Sequence, residues 1–174
     1  MLNAVPDLKL RTALITIYSA GLRISEAIAL TARDIDSARM VICVRQGKGR
    51  KDRYTVLSDQ LLGILRDYWH RTRPSHWLFP GLKPSRPMAK RTLQLACRRA
   101  AEAAGLSKSV TVHTLRHSFA THLLEQGVDI RVIQDLLGHR HIKSTVGYAR
   151  AAINLIRQVR SPLEFLNMAR TAPD

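Results

Sequence analysis

Apolar residues recur every three or four positions near the start of the chain, which predicts an amphipathic helix between Asp7 and Gly21. Asp7 can cap the N-terminus of this helix and Gly21 can end it. Its apolar positions are Leu10, Ala13, Leu14, Ile17 and Tyr18. A second helix, capped by Ser25, continues through Ala27, Ile28 and Leu30. Arg23 therefore falls in the tight connection between two packed helices, where a side chain can point outward.

Two β-type runs follow, MVICV at 40–44 and YTVLS at 54–58. They flank the glycine-containing segment 45–53, so the pattern predicts a hairpin with a long tip, although it does not settle the register. Ser58 then caps a helix. The apolar positions of that helix are Leu61, Leu62, Ile64, Leu65, Tyr68 and Trp69.

The second half of the chain is predicted to be helical. After a proline- and glycine-bearing loop at 74–87, helices are predicted, in order, at 90–105, 114–126, 129–137 and 144–148. Ser161-Pro162 begins a last helix, whose apolar side chains we expect to be buried: Leu163, Phe165 and Leu166. The whole pattern predicts one domain, mainly α with a small antiparallel β-sheet, an α+β fold.

The composition is that of an ordinary globular protein. With 45% hydrophobic and 24% charged residues, the chain does not belong to the disordered, collagen-like or coiled-coil classes. Cys43 and Cys97 lie far apart in the sequence and are predicted to be core residues rather than a disulfide. No apolar run is long enough to span a membrane, and the first residues lack the pattern of a secretion signal. We therefore expect a soluble protein that stays in the cytoplasm.

The charge is concentrated in two segments. The formal net charge is +15, of which segment 45–53 carries +4 and segment 71–99 carries +8. Such a concentrated field favours a polyanion such as nucleic acid, whereas a solvated surface usually intersperses both signs. Neither segment resembles an amphipathic membrane-binding helix, and aromatic residues are too few for a single-strand stacking platform. Contact with the phosphates of a duplex fits the pattern better.

The helix near Thr114 carries the most suggestive polar residues. His113 and Arg116 are three residues apart and share a face. The neighbouring stripe, predicted to be buried, is Leu115, Phe119 and Leu123. Arg116 therefore lies at the edge of the core, where it needs a partner from outside its own segment. A carboxylate in a salt bridge and a bound phosphate are the two alternatives.

A metal site is a weaker alternative for the same helix. His113 and His117 have the i, i+4 spacing of a zinc-binding helix. However, Thr114 stands where a metalloprotease has its catalytic glutamate, and no third ligand follows at an obvious spacing. We expect no metal here.

Five short segments stand in a fixed order along the chain. They are GLRISE at 21–26, the basic segment GKGRKDR with Lys48, HTLRHSFATHLL at 113–124, LLGH at 136–139, and Tyr148, nine residues further on. In this order and at these spacings they resemble the signature of the tyrosine recombinase (phage integrase) family. The resemblance implies that family's catalytic-domain fold, with a core at about 7–150. It also implies that segment 151–174 docks on a neighbouring protomer.

The resemblance implies that Tyr148 is the nucleophile and that Arg23 and Arg116 clamp the scissile phosphate. The product in the family is a 3′-phosphotyrosyl link, which a 5′ hydroxyl of another strand attacks to rejoin DNA. The residue chemistry agrees with these roles, because a phenol with a pKa of about 10 is a weak nucleophile at neutral pH. Two arginines stabilise the charge that develops as it attacks phosphorus.

The remaining implied catalytic residues handle protons. Lys48 would protonate the leaving 5′ oxygen, His113 would exchange a proton with the tyrosine, and His139 would hydrogen-bond the phosphate. Because the covalent link conserves the energy of the broken phosphodiester, the chemistry needs no cofactor. Glu26 either supports the turn at Arg23 or is an ordinary helix-surface glutamate.

The expected partner is double-stranded DNA, with neither a membrane nor a small-molecule substrate. The residues expected to contact DNA are Arg45, Arg50, Lys51, Arg53, Lys83, Arg86, Lys90 and Arg91. The family resemblance further implies a homotetramer assembled on DNA, associated with the nucleoid.

One departure from the family keeps other functions open. Members usually carry an N-terminal DNA-binding domain, and few residues here precede the first predicted helix. A non-catalytic DNA-binding module derived from a recombinase is therefore an alternative. A type IB topoisomerase-like enzyme, which shares the tyrosine chemistry, is another.

Overall fold

Six α-helices and three β-strands form the described part of the chain, which comprises residues 1–45, 52–138, 156, 158–166 and 168 of a computed structural model. The helices are α1 (Leu8–Ala20), α2 (Ile24–Ile28), α3 (Asp59–Thr72), α4 (Lys90–Ala103), α5 (Val112–Glu125) and α6 (Ile130–Leu137). The strands are β1 (Ile35–Asp36), β2 (Val41–Val44) and β3 (Arg53–Val56). Short 3₁₀ turns cover Leu2–Ala4, Ala32–Asp34 and Pro162–Phe165. The predicted fold class is confirmed. Within these ranges, none of the helices has the length and apolar character needed to cross a bilayer.

Helix α1 is the centre of the fold. The side chain of Asp7 accepts a hydrogen bond from Leu10 N at 2.8 Å, and Gly21 ends the helix with a φ of +61°. All residues from 11 to 20 are buried, because α3, α4 and α5 pack around this helix. A Cβ at Gly21 would lie 2.4 Å from Cδ1 of Phe119 on α5. Glycine is therefore required here both for the left-handed backbone and for the close approach of α5.

The sheet is antiparallel with the strand order β1-β2-β3. Val41 pairs with Val56 and Val44 pairs with Arg53, which confirms the predicted hairpin and settles its register. The hairpin tip, 46–51, lies outside the described residues. Strand β1 was not predicted, because two residues are too few to show an alternating pattern.

Helix α2 begins earlier than predicted. Its N-cap is Arg23 rather than Ser25, so the predicted cap is wrong. The physical reason is that the Glu26 side chain reaches back and accepts a hydrogen bond from Arg23 N at 2.7 Å. This contact satisfies one of the backbone N–H groups that a helix N-terminus leaves unpaired.

The helices predicted after Ser58 and at 90–105, 114–126 and 129–137 are confirmed as α3, α4, α5 and α6, with small shifts at their ends. The last helix, predicted to begin at Ser161-Pro162, is a single 3₁₀ turn instead. The Ser58 side chain caps α3, and Asp129 caps α6. Helix α5 starts at Val112, earlier than predicted, because the Thr111 side chain accepts a hydrogen bond from Thr114 N. Its predicted buried stripe of Leu115, Phe119 and Leu123 is buried. The helical piece predicted at 144–148 lies outside the described residues.

The segment that begins at Ser161 packs on its own chain. Ser161 Oγ donates to Ser19 O at 2.7 Å, and Leu163 is fully buried. Leu163 is buried as predicted, whereas Phe165 and Leu166 are exposed within this chain. The reason is geometric: the segment forms a single 3₁₀ turn, and one turn can direct only part of its side chains into the core.

The two cysteines differ in their surroundings. Both are free thiols; Cys97 is buried, as predicted, whereas Cys43 on β2 is half-buried. Burial raises the pKa of the Cys97 thiol to about 11, which keeps it protonated and unreactive at neutral pH.

Candidate active site

Arg116 is buried where three elements meet. Only 6% of its side chain is exposed. Its Nη1 donates to Gly21 O at the end of α1, and its Nη2 donates to Leu137 O at the end of α6, both at 2.6 Å. Burial lowers the pKa of Arg116 to about 10, and the neighbouring cations Arg23 and Arg53 act in the same direction. The guanidinium therefore remains charged at neutral pH while it satisfies carbonyls that helix ends leave unpaired.

Arg23 lies beside it in the connection between α1 and α2. Its side chain is 29% exposed, and its Nη1 donates to Glu26 Oε1 at 2.8 Å. The two arginines thus differ in access, since Arg116 forms the floor of the site and Arg23 its open side. The sequence placed Arg23 in a tight connection between packed helices, and this placement is confirmed.

Glu26 stands at the centre of the arginines. Its side chain is 7% exposed, so it is not a surface glutamate, and it supports the turn at Arg23. Its Oε2 accepts from Arg53 Nη2 at 2.8 Å and lies 3.6 Å from Arg116 Nη1. Burial alone would raise the pKa of Glu26, but Arg53 and then Arg23 outweigh it and hold that pKa below its ordinary value. The sequence left a carboxylate and a phosphate as possible partners of Arg116. The structure places the Glu26 carboxylate near it, at a distance longer than a hydrogen bond.

Arg53 points into the protein. It was expected among the DNA-contacting residues, but its side chain is 11% exposed. Its Nη2 pairs with Glu26 and its Nη1 donates to the carbonyl of Leu136 near the end of α6. Both terminal nitrogens therefore have protein partners, and Arg53 belongs to the same cluster as Arg23 and Arg116.

The cluster has an excess of positive charge. Three guanidinium groups surround one carboxylate, so two positive charges remain without a paired anion within the cluster. Because most of this group is shielded from water, its charges interact more strongly than exposed ones would. Such an arrangement is suited to an anionic group that binds beside Arg23, on the exposed side.

His113 is exposed on the first turn of α5, one turn before Arg116. His117 is exposed too, and among the described residues no three His, Cys, Asp or Glu side chains group as a metal site. Lys48, His139 and Tyr148 lie outside the described residues, as do Arg50 and Lys51.

The other residues expected to contact DNA are exposed. They are Arg45 at the end of β2, Lys83 and Arg86 in the loop before α4, and Lys90 and Arg91 on the first turn of α4. Arg45 Nε pairs with the buried Asp34 at 2.6 Å, while most of the Arg45 side chain remains exposed. These positions provide cations on the surface, in contrast to the inward-pointing Arg53.

A sequence model of the phage integrase family matches residues 1–154. This chain belongs to the phage integrase family. The matched residues include Arg23, Arg53 and Arg116, and both strands of the β2–β3 hairpin. The integrase family thus accounts for nearly all of the described structure.

Curated relatives agree with this assignment. A putative integrase/recombinase y4qK of Sinorhizobium fredii is 53% identical over 172 residues, which cover 99% of this chain and 55% of that protein. The tyrosine recombinase XerD of Corynebacterium glutamicum is 38% identical over 159 residues, covering 88% of this chain and 52% of that protein. The chain therefore spans about half the length of these relatives.

Solved structures share the fold. A crystal structure of XerA recombinase superposes with a TM-score of 0.70 at 29% identity, covering 90% of this chain and 58% of that one. XerH bound to its difH substrate has the same fold, with a TM-score of 0.69 at 24% identity, covering 83% of this chain and 46% of that one. The architecture described above is therefore that of a tyrosine recombinase catalytic domain.

Sequence reasoning missed the inward role of Arg53. The residue lies in a strongly basic segment, and its strand is too short to show which face is buried. Its partners, Glu26 and Leu136, are 27 and 83 residues away in sequence. A longer strand would have shown an alternation of apolar and polar positions, and that alternation would have indicated that Arg53 faces inward.

Proposed function

We propose that this chain is the catalytic domain of a site-specific DNA recombinase that cleaves and rejoins strands through a 3′-phosphotyrosyl intermediate at Tyr148. The observation that carries the proposal is the cluster of Arg23, Arg53 and Arg116 around Glu26, with its excess positive charge and its open side at Arg23. Membership of the phage integrase family supports it.

The charge of the cluster suits the transition state. A phosphodiester carries one negative charge, and attack by a phenolate brings a second to the pentacoordinate phosphorus. Two unpaired positive charges in a poorly solvated cluster balance these two charges. Because Arg116 is held by Gly21 O and Leu137 O before DNA arrives, little reorganisation is needed during reaction. One such preorganised donor is worth about 3–4 kcal/mol of barrier.

Oη of Tyr148 attacks the phosphorus, the bond to the 5′ oxygen breaks, and the phenolic proton passes to His113. Lys48 gives a proton to the 5′ oxygen, and His139 hydrogen-bonds a phosphate oxygen. Rejoining reverses these transfers when a 5′ hydroxyl of another strand attacks the phosphotyrosine. The residues need no cofactor or metal for these steps.

The partner we propose is double-stranded DNA. The exposed cations at Arg45, Lys83, Arg86, Lys90 and Arg91 supply the phosphate contacts, and segment 71–99, which carries four of them, has no acidic residue. XerH, which shares this fold, is bound to its difH substrate in its structure. We further propose that a homotetramer assembles on DNA, in the cytoplasm and near the nucleoid, and that part of segment 151–174 docks on a neighbouring protomer.

Capture of a covalent adduct tests the proposal. The chain is incubated with a pool of nicked duplexes and run on a denaturing gel, with Tyr148→Phe beside it. We expect a protein–DNA adduct that is absent from the variant, and sequencing its DNA identifies the site. If the parent binds DNA in a salt-sensitive way but forms no adduct, even when the N-terminal half of a long relative is added, the chain is a DNA-binding module instead.

A further inference from the structure

We propose that Arg53 is a positioning residue for strand cleavage: it holds the Glu26 carboxylate away from Arg116 and so leaves the Arg116 charge for the scissile phosphate. This inference rests on the proposed function and extends it to a residue that sequence reasoning had placed on the DNA surface.

The first observation is how Glu26 Oε2 is shared. It accepts from Arg23 N at 2.7 Å and from Arg53 Nη2 at 2.8 Å, whereas Arg116 Nη1 lies 3.6 Å away. The first two distances are ordinary hydrogen bonds and the third is longer than one. Arg53 is therefore the side chain that holds Oε2, while Arg23 Nη1 holds Oε1 at 2.8 Å. Arg116 is within reach of a small rotation of the carboxylate.

The second observation is how firmly Arg53 is held. Its Nη1 donates to Leu136 O, so its guanidinium bridges β3, α2 and the end of α6. A Cβ at Gly138 would lie 2.6 Å from Arg53 Cδ and 2.8 Å from Arg53 Nε. The side chain is thus packed against a glycine as well as hydrogen-bonded, and any side chain at 138 would displace it.

The consequence for catalysis follows from charge. Without Arg53, Glu26 Oε2 would lose its side-chain donor, while Oε1 would remain paired with Arg23 Nη1. A small rotation of the carboxylate would then bring Oε2 onto Arg116 Nη1, which lies 3.6 Å away. A close Glu26–Arg116 pair would neutralise the guanidinium that we expect at the phosphate. Arg53 therefore acts through Glu26 and not by touching DNA, which agrees with its low exposure.

The test compares two scissile groups in single-turnover cleavage, an ordinary phosphodiester and a methylphosphonate. The methylphosphonate has a methyl group in place of one non-bridging oxygen, so its transition state carries one negative charge less and depends less on arginine. For Arg53→Gln we expect cleavage of the phosphodiester to fall by about 100-fold, the size seen when one preorganised donor is lost. On the methylphosphonate we expect a much smaller loss. DNA affinity, measured separately, should remain that of the parent.

Further variants separate positioning from loss of folding. Arg53→Lys retains a cation for Glu26 and should recover part of the phosphodiester rate. Arg39→Gln is the matched control, because it removes an exposed arginine, paired with Asp36, from the turn between β1 and β2 and should behave as the parent. If Arg53→Gln does not fold, Arg53→Lys decides the test: a loss that is larger on the phosphodiester than on the methylphosphonate supports positioning, and an equal loss on both contradicts it.

The outcomes distinguish this inference from the proposed function. If the parent forms an adduct and Arg53 variants lose the same factor on both substrates, Arg53 has only a structural role and the inference is wrong. A loss confined to DNA affinity would assign Arg53 to the DNA surface and would also overturn it. If the parent forms no adduct on any substrate, the proposed function fails and this inference fails with it.

Discussion

Nη1 of Arg116 lies 2.6 Å from the carbonyl oxygen of Gly21. Gly21 is two residues before Arg23, so this hydrogen bond ties Arg116 on α5 to the connection that carries Arg23. The second bond of Arg116, to Leu137 O, adds the end of α6 to the same arrangement. The clamp that we propose for the phosphate is therefore built on backbone carbonyls, which are less mobile than side chains.

Replacing Arg116 by lysine should abolish most of the cleavage activity. An ammonium group carries the charge but lacks the planar fork that reaches Gly21 O and Leu137 O at once. We expect the single-turnover rate of adduct formation to fall by about 100- to 1000-fold. The rate is measured on a nicked duplex at saturating protein, with Arg39→Gln as the control. A rate close to that of the parent would contradict the clamp role.

Glu26→Gln should lower the stability of the folded protein and make that stability less dependent on pH. At neutral pH this variant removes the carboxylate that pairs with Arg23 and Arg53 and lies near Arg116. Its loss should lower the free energy of unfolding by about 3 kcal/mol. The pKa of Glu26 is lower in the folded protein than in the unfolded chain, where it is about 4.3. Its contribution is therefore complete above that unfolded value and is lost as the pH falls through the folded one.

The measurement is urea unfolding of both proteins between neutral pH and the acid range. We expect the difference in stability between the parent and Glu26→Gln to shrink as the medium becomes more acidic. A difference that stays constant down to the lowest pH would show that the charge of Glu26 does not stabilise the cluster.

Gly21→Ala and Gly105→Ala form a matched pair for stability. Both glycines have positive φ, +61° and +68°, but a Cβ at Gly21 would meet Phe119 whereas nothing lies within 4 Å of one at Gly105. Gly105→Ala should therefore cost only the backbone strain, about 1–2 kcal/mol. Gly21→Ala should cost about 1–3 kcal/mol more, from overpacking against α5. Equal midpoints in urea unfolding would show that α5 adapts to the added methyl group.

Neutralising exposed cations should reduce the salt dependence of DNA binding. Each phosphate contact that is lost should make the log–log slope of affinity against salt less negative by about 0.9. We therefore expect Lys90→Gln and Arg91→Gln each to reduce the slope in fluorescence anisotropy titrations with duplex DNA. Lys108→Gln serves as the control, since it is exposed but lies outside both charge-rich segments. An unchanged slope in all variants would place the interface on another surface.

Much of the fold was predictable because its signals are local. Asp7 and Gly21 mark the ends of α1, and Ser58 marks the start of α3, through contacts within a few residues. Each of these markers lies where the sequence placed it. The exceptions are instructive. The start of α2 moved because a glutamate three residues on caps it, and Phe165 is exposed because a single 3₁₀ turn buries few side chains.

The sequence by itself determined the family, the fold class and the candidate chemistry. Helix caps, apolar periodicity and short motifs each depend on residues that are close together in the sequence. Tertiary structure alone decided which charges face one another. It placed Glu26 beside Arg53 and Arg116 and turned Arg53 inward, through contacts that span 27 to 95 residues of sequence. Such pairings depend on how helices and strands pack, and a basic residue has the same local signature whether its partner is a buried carboxylate or a phosphate.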